Sequence, residues 1–303
     1  WTLDKLSNEV ESLKLNTLDG YYTSNLAENV LLSHINVSDD KCNISELYRI
    51  LNRYQEAGYL LDPKLNYIIS KIVNLLRTLV YCIYKVFENN LDFKSGDNYF
   101  NIINHCMSEV SFVSKYLQHL SKIRGYKVFF QYFTHEANDV EPLVFFILVV
   151  LPFFERINSK LETSFIHSHL AYKSTLPDLW EVRYIFIGWL SMTMLVPFDI
   201  KSMESYRPDS FKTINDFQKI SLIDKILLIL NLSYDSIGKE FETSSLLAMR
   251  FFTRKDIINQ YFKEFLQSSF SLFLTESTEN THIFGYNRNN IGPITQFEAR
   301  GIL

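Results

Sequence analysis

The stretch from Asp178 to Asp199, DLWEVRYIFIGWLSMTMLVPFD, constrains the fold more than any other part of the chain. Asp178 and Glu181 stand at capping-box spacing, in which a side-chain oxygen accepts a first-turn N–H and the later acid reaches back. Pro197 predicts the stop, because its ring and missing N–H cannot continue a helix. Between these signals Trp180, Tyr184, Ile185, Ile187, Trp189, Leu190, Met194 and Leu195 leave no polar stripe wide enough to face water. Such a helix must be covered on several sides and is therefore central. Arg183 lies one turn into it, where an unpaired charge would be costly. An acidic partner in the preceding hairpin, Asp139 or Glu141, is expected.

The uncharged run from Tyr184 to Phe198 spans about 15 residues and that from Leu143 to Phe154 about 12, whereas a transmembrane helix needs roughly 20. No membrane span is predicted. The net charge of −4 and the absence of any Lys/Arg run longer than two exclude an obvious phosphate-binding groove, so no nucleic-acid partner is expected. With 25 Phe and 18 Tyr against 9 Gly and 7 Pro, the composition favours long helices joined by few turns. Cys42, Cys82 and Cys106 form neither an even set nor a C-x-x-C pair, which points to a reducing compartment and no disulfide framework. No signal segment opens the chain, and Trp1 stands where an initiator Met would, so a piece of a longer protein is expected. The acceptor-like triplets at Asn36, Asn43 and Asn231 read as chance.

Helical periodicity recurs along the chain. Leu3, Leu6, Val10 and Leu13 predict a short first helix, followed by a polar stretch over 16–43. Ile44 to Tyr54 predicts a second helix, broken near Gly58. Asp62-Pro63 reads as an N-cap with proline at the first helical position, opening a long helix to Phe87. Tyr99 to Leu120 predicts another, ended by Gly125 in a left-handed C-cap. Tyr126 to Phe133 is a short aromatic helix, and Val140 to Ile157 another that Pro152 should kink or break.

After a polar loop over 158–175 and the central helix, 201–219 reads as loop. Ser221 to Asp224 begins a helix, Lys239 to Phe252 forms its partner, and Thr253 to Asp256 looks like a further cap. No segment alternates with period two long enough for a sheet. The polar residues from Thr275 onward read as a frayed tail. Helix pairs at intervals of about 40 residues match HEAT or armadillo units. The fold class is therefore all-α, an alpha-solenoid of HEAT/armadillo-like helical repeats, with a compact bundle as the alternative. The organisation is an N-terminal segment 1–43, a helical array 44–274 and a tail 275–303.

Motifs for catalysis are sparse. Gly238-Lys239 is followed by Glu240 and lacks the glycine that a phosphate loop requires. His135-Glu136-Ala-Asn-Asp139 resembles the start of a zinc-protease helix, in which two His one turn apart bind metal and Glu activates water, but Asp139 replaces the second His. His167 and His169 could in principle complete a site, but positions i and i+2 on a helix point to different sides. The simpler reading makes this segment a turn, with Asp139 capping the next helix. A metal-dependent hydrolase built on His135, Glu136 and Asp139 is the enzyme alternative. No enzyme activity, metal or cofactor is expected.

Several stretches together resemble the amino-terminal part of the tubulin-specific chaperone D family (tubulin-folding cofactor D). They are Leu51-Asn-Arg-Tyr-Gln-Glu56 with Leu60-Leu-Asp-Pro63, Lys122-Ile-Arg-Gly-Tyr-Lys127, His135-Glu136 with Asp139-Val-Glu-Pro-Leu143, Trp180-Glu-Val-Arg-Tyr184, Trp189-Leu-Ser191, Pro197-Phe-Asp199, and Phe252-Thr-Arg254 with Asp256. They follow in the family's order over roughly 47 to 258. The family usually has proline at the positions of Thr134 and Lys255, a departure confined to turns.

The resemblance implies a cytoplasmic, non-catalytic HEAT-repeat scaffold of the microtubule cytoskeleton. It would receive beta-tubulin, help assemble or take apart the alpha/beta-tubulin dimer, and work with tubulin cofactors E and C and an ARF-like small GTPase that it regulates. A HEAT-type adaptor for another protein cargo is the alternative within the same fold. The candidate partner contacts, charged residues near predicted helix ends, are Arg53, Glu56, Arg124, Lys127 and Glu136.

Overall fold

A computed structural model describes residues 48–49, 51–89, 98–155, 179–204, 220–233, 238–274, 282–283 and 286–287. The first expected helix, the polar stretch 16–43, Cys42, Asp178 and the loop 158–175 lie outside these.

A 3-10 turn at Gly58–Leu61 leads into α1, Asp62–Asn89, and α2 follows at Asn98–Arg124. The aromatic segment forms α3, Tyr126–Phe129, and a 3-10 turn at Phe130–Tyr132. Another 3-10 turn, Ala137–Asp139, opens α4, which begins at Val140–Phe145, passes through a π turn at Phe146–Val150 and runs on to residue 155. The central helix α5 is Trp180–Thr193. Then come α6 (Ile200–Glu204), α7 (Leu222–Leu232), α8 (Lys239–Phe252), α9 (Lys255–Ile258) and α10 (Tyr261–Leu274). His282–Ile283 and Tyr286–Asn287 pair as a two-stranded antiparallel hairpin inside the stretch expected to fray.

Helices α1 and α2, α4 and α5, and α7 and α8 pack as pairs. The pairs stack in two layers: α1 on α4 on α7, and α2 on α5 on α8. Each pair covers its neighbour's apolar face, which is the organisation of an alpha-solenoid. The pairs begin at residues 62, 140 and 222, so they recur at about twice the expected interval. Helices of 28 and 27 residues lengthen the first interval.

Every residue of α5 from Tyr184 to Thr193 is buried. Trp189 is 1% exposed, with its indole N–H donating to the Thr134 carbonyl at 3.0 Å. Helix α5 lies against α2, α4 and α8 at once, which explains why no face of it is polar.

Several local expectations are corrected. Leu179, with no side-chain cap, occupies the N-cap of α5, the position expected for Asp178, which lies outside the described residues. The helix ends at Thr193, four residues before Pro197, as the Ser191 and Thr193 hydroxyls bond back to the Gly188 and Leu190 carbonyls. Pro152 does not break α4. The π turn just before it widens the backbone, where an α turn would drive the proline ring into the carbonyl four residues earlier. Gly125 has the expected positive φ of 86°, but its ψ of 129° is extended, and the chain turns directly into α3. Residues 201–204, expected as loop, belong to helix α6. Thr253 does not cap the following helix; Arg254 holds that position, and the Thr253 hydroxyl donates back to the Arg250 carbonyl.

Two helical segments, residues 58–84 and 137–155, are long and apolar enough to cross a membrane by length and composition. The second exceeds the apolar run counted in the sequence because the 3-10 turn extends it. Their apolar faces, including Ile69, Leu76, Phe145 and Val150, are buried within the protein, as in core helices.

Candidate partner-binding surface

Gly58 sets the turn before α1 against the end of α2. A Cβ there would lie 2.7 Å from the Ile123 carbonyl oxygen, so only glycine permits this approach. Arg124 then closes the contact with a two-pronged bond to Asp62, its Nη2 donating at 2.7 Å. The guanidinium holds the Asp62 carboxyl below its ordinary value. Asp62 therefore serves Arg124 and not the first turn of α1.

This packing gathers four of the five candidate contacts at one end of the first helix pair. Arg53, Glu56 and Lys127 are exposed and Arg124 is half-buried. Lys127 lies 5.9 Å from the centre of the Tyr126 ring. The same end carries exposed Lys64 and Lys122, together with Tyr59 and Leu60, which are 64% and 56% exposed. Arg53, Lys64, Lys122 and Lys127 have no ion-pair partner among the described residues. Asp62 is neutralised by Arg124, so this end is positive on a chain that is negative overall. Lys64, Lys122, Tyr59 and Leu60 escaped the sequence reading because helical periodicity does not say which apolar side chains stay uncovered.

Glu136, the fifth candidate, belongs to a different cluster. Arg77 of α1 donates to both Asp139 oxygens at 2.7 and 2.6 Å, to the Thr134 hydroxyl at 2.9 Å, and lies 3.1 Å from Glu136. The Thr134 hydroxyl also donates to Asp139, a role the family's usual proline could not fill. Burial pushes the Asp139 carboxyl up, and Arg77 works against that. Asp139 thus occupies the expected N-cap position of α4 but caps no first-turn N–H, and it is not available to a metal, since its oxygens are already taken by a guanidinium. His135 and Glu136 are exposed, and no group of three or more metal-ligating side chains forms among the described residues. His167 and His169 lie outside them.

Arg183 is paired, but not with Asp139 or Glu141. It joins Glu155 of α4 and, at 2.8 Å, Glu240 of α8. Asp139 is engaged by Arg77, while Glu141 meets the buried Lys225 of α7 at 3.4 Å. Arg254 clamps the turn after α5 by donating to the carbonyls of Met194, Val196 and Phe198 at 2.7, 2.9 and 2.6 Å. Asp256 binds Arg254 and accepts the Ile200 N–H at 3.0 Å, opening α6.

Cys82 and Cys106 are unpaired thiols, which burial pushes up to about 11 and about 12. That makes them poor nucleophiles.

Arg124, Arg183, Arg254 and Trp189 all fall in stretches that carry the resemblance. A family profile described as tubulin-specific chaperone D-like, ARM repeat, matches residues 51–273. The chain belongs to this family. No solved structure matches it. In this chaperone D-like array, Arg124, Arg183, Arg254 and Trp189 are spent on joining helix pairs. Arg53, Glu56 and Lys127 are left facing outward. The family is one of helical-repeat scaffolds related to tubulin folding.

Proposed function

We propose that this chain is a non-catalytic tubulin chaperone scaffold that binds beta-tubulin and assists assembly and disassembly of the alpha/beta-tubulin dimer in the cytoplasm. The observation that carries the reading is the family match over 51–273. The helical array 44–274 is the working part. The positive end formed by Arg53, Lys64, Lys122, Arg124 and Lys127, with Glu56 at its rim, supplies the contact face. Tyr59 and Leu60 add the apolar area that a charge-steered interface needs for affinity. Tubulin cofactors E and C and an ARF-like small GTPase act with the same scaffold, and Glu136 lies outside the contact face.

The test is size-exclusion co-elution with native alpha/beta-tubulin, and separately with the GTPase in its GTP and GDP forms. Co-elution with tubulin that is lost in the double variant Arg53→Glu, Lys127→Glu is expected. A chain that never co-elutes with tubulin removes the reading, and one whose binding ignores the double variant removes the assigned face.

A further inference from the structure

Five arginines of the described chain are half-buried: Arg77, Arg124, Arg183, Arg250 and Arg254. Four of them meet a carboxylate. Arg250 meets none among the described residues. Its Nη1 donates to the Ser191 hydroxyl at 3.0 Å and touches the Met192 sulfur at 2.7 Å, while Nε and Nη2 make no hydrogen bond among the described residues. Burial lowers the affinity of this guanidinium for its proton, and no acid offsets it.

The surroundings are apolar and fixed. Arg183 on Glu240 and Arg250 on Ser191 show that α5 and α8 run side by side in the same direction, so both C-terminal ends lie together. Leu195 and Phe198, on the turn after α5, are 52% and 59% exposed, and Met249, next to Arg250 on α8, is 56% exposed. The three carbonyls held by Arg254 keep the backbone of that turn in place, so Leu195 and Phe198 are presented with little backbone ordering left to occur on binding. Asp256 is committed to Arg254 and the Ile200 N–H. Lys201 and Lys255 add exposed positive charge against exposed Asp199.

We infer that the adjoining ends of α5 and α8 are a docking surface for a protein segment presenting a carboxylate between bulky apolar side chains. Arg250 is the anion contact, and Leu195, Phe198 and Met249 receive the apolar groups. Arginine, methionine and aromatic residues around a desolvated charge are the composition of interface centres. A nucleic-acid backbone calls for a row of cations along its phosphates. Here the exposed charges on the adjoining segments are mixed, Lys201 and Lys255 with Asp199, and form no row of cations, which favours a protein segment. The inference does not depend on the tubulin reading, because this surface and the end around Arg124 use different residues.

The experiment is fluorescence anisotropy with a labelled peptide, Glu-Glu-Phe-Glu-Glu-Leu-Glu-Glu, titrated with the whole chain. Saturable binding is expected, about tenfold weaker for Arg250→Met, which keeps the apolar stem, and also weaker for Phe198→Ser. Unchanged circular dichroism melting verifies that both variants are folded. A peptide with Ser in place of Phe and Leu should bind more weakly, and Arg53→Glu, Lys127→Glu should leave binding unaltered. Absence of binding, indifference to Arg250→Met, loss on Arg53→Glu, Lys127→Glu, or equal binding of polyuridylate overturns the inference. So does self-association in sedimentation that Arg250→Met abolishes, which would assign the face to a second copy of the chain. Peptide binding without tubulin co-elution leaves the inference standing and removes only the tubulin reading.

Discussion

Arg183 shows how little freedom a charge has beside a packed core. Its guanidinium meets Glu155 and Glu240, so one side chain ties α4, α5 and α8 together. Truncation leaves two carboxylates facing each other without their cation. Arg183→Ala should destabilise the fold by about 2 kcal/mol, read as a lower urea midpoint. Combined with Glu240→Gln it should cost less than the sum of the two, since both remove one contact.

Two carboxyls give the pH response. Arg124 holds Asp62 below its ordinary value. At Asp256 burial pushes upward, but the Ile200 N–H and Arg254 outweigh it and the carboxyl ends below its ordinary value. A carboxyl lowered in the folded state contributes stability above its unfolded value, and that contribution is lost as pH falls through the folded value. Stability should therefore fall below about pH 4, and Asp62→Asn should flatten that part of a urea-midpoint profile. The ion pairs could not be read from residue order. Arg183 advertised its need for an acid, but three acids on two other helices stood at comparable sequence distances, and only packing selected Glu155 and Glu240 over Glu141.

At the level of elements, the helices follow from periodicity and their contacts follow from a few small residues. Gly188 sits in the middle of α5, where glycine is unfavourable by roughly 1 kcal/mol relative to alanine. A Cβ there would lie 2.0 Å from the Phe130 ring, which is fully buried among Phe129, Phe133 and Tyr184 and cannot swing away. Gly188→Ala should thus lower stability by about 1–3 kcal/mol despite its better helix propensity, checked by thermal melting. Removing the larger neighbour is worse: Trp189→Ala should cost about 3–5 kcal/mol as a core truncation.

The turn between α5 and α6 is held by Arg254 and not by its own sequence. Arg254→Ala should speed amide hydrogen exchange over 194–200 while leaving the middle of α5 protected. Caps were the least legible features. Ser221 caps α7 as its spacing suggests, accepting the Asp224 N–H at 3.1 Å. Asp62 and Asp139 carry the same kind of signal, yet each is drawn off by an arginine on another helix.

For the whole molecule, stacked pairs predict an elongated shape. The radius of gyration from small-angle scattering should exceed the roughly 19 Å expected of a compact chain of this length. A value near that figure would favour a bundle over a solenoid. Each pair rests on its neighbours, so weakening α5, which touches α2, α4 and α8, should disturb the array in both directions.

The order of amino acids by itself determined the helical class, the extents of α1, α2, α7 and α8, and the central place of the Trp180–Thr193 helix. These depend on apolar spacing over one or two turns, which is local information. The family was legible as well, because its motifs keep their order along the chain. Only the tertiary structure decided that pairs recur at about 80 residues, that Pro152 is absorbed by a π turn, and which acid each arginine meets. It also separated Glu136 from the other four candidate contacts and left Arg250 without a carboxylate among the described residues. Those outcomes rest on distances between residues some sixty positions apart, set by how close two helices approach, and no pattern along one helix encodes that distance.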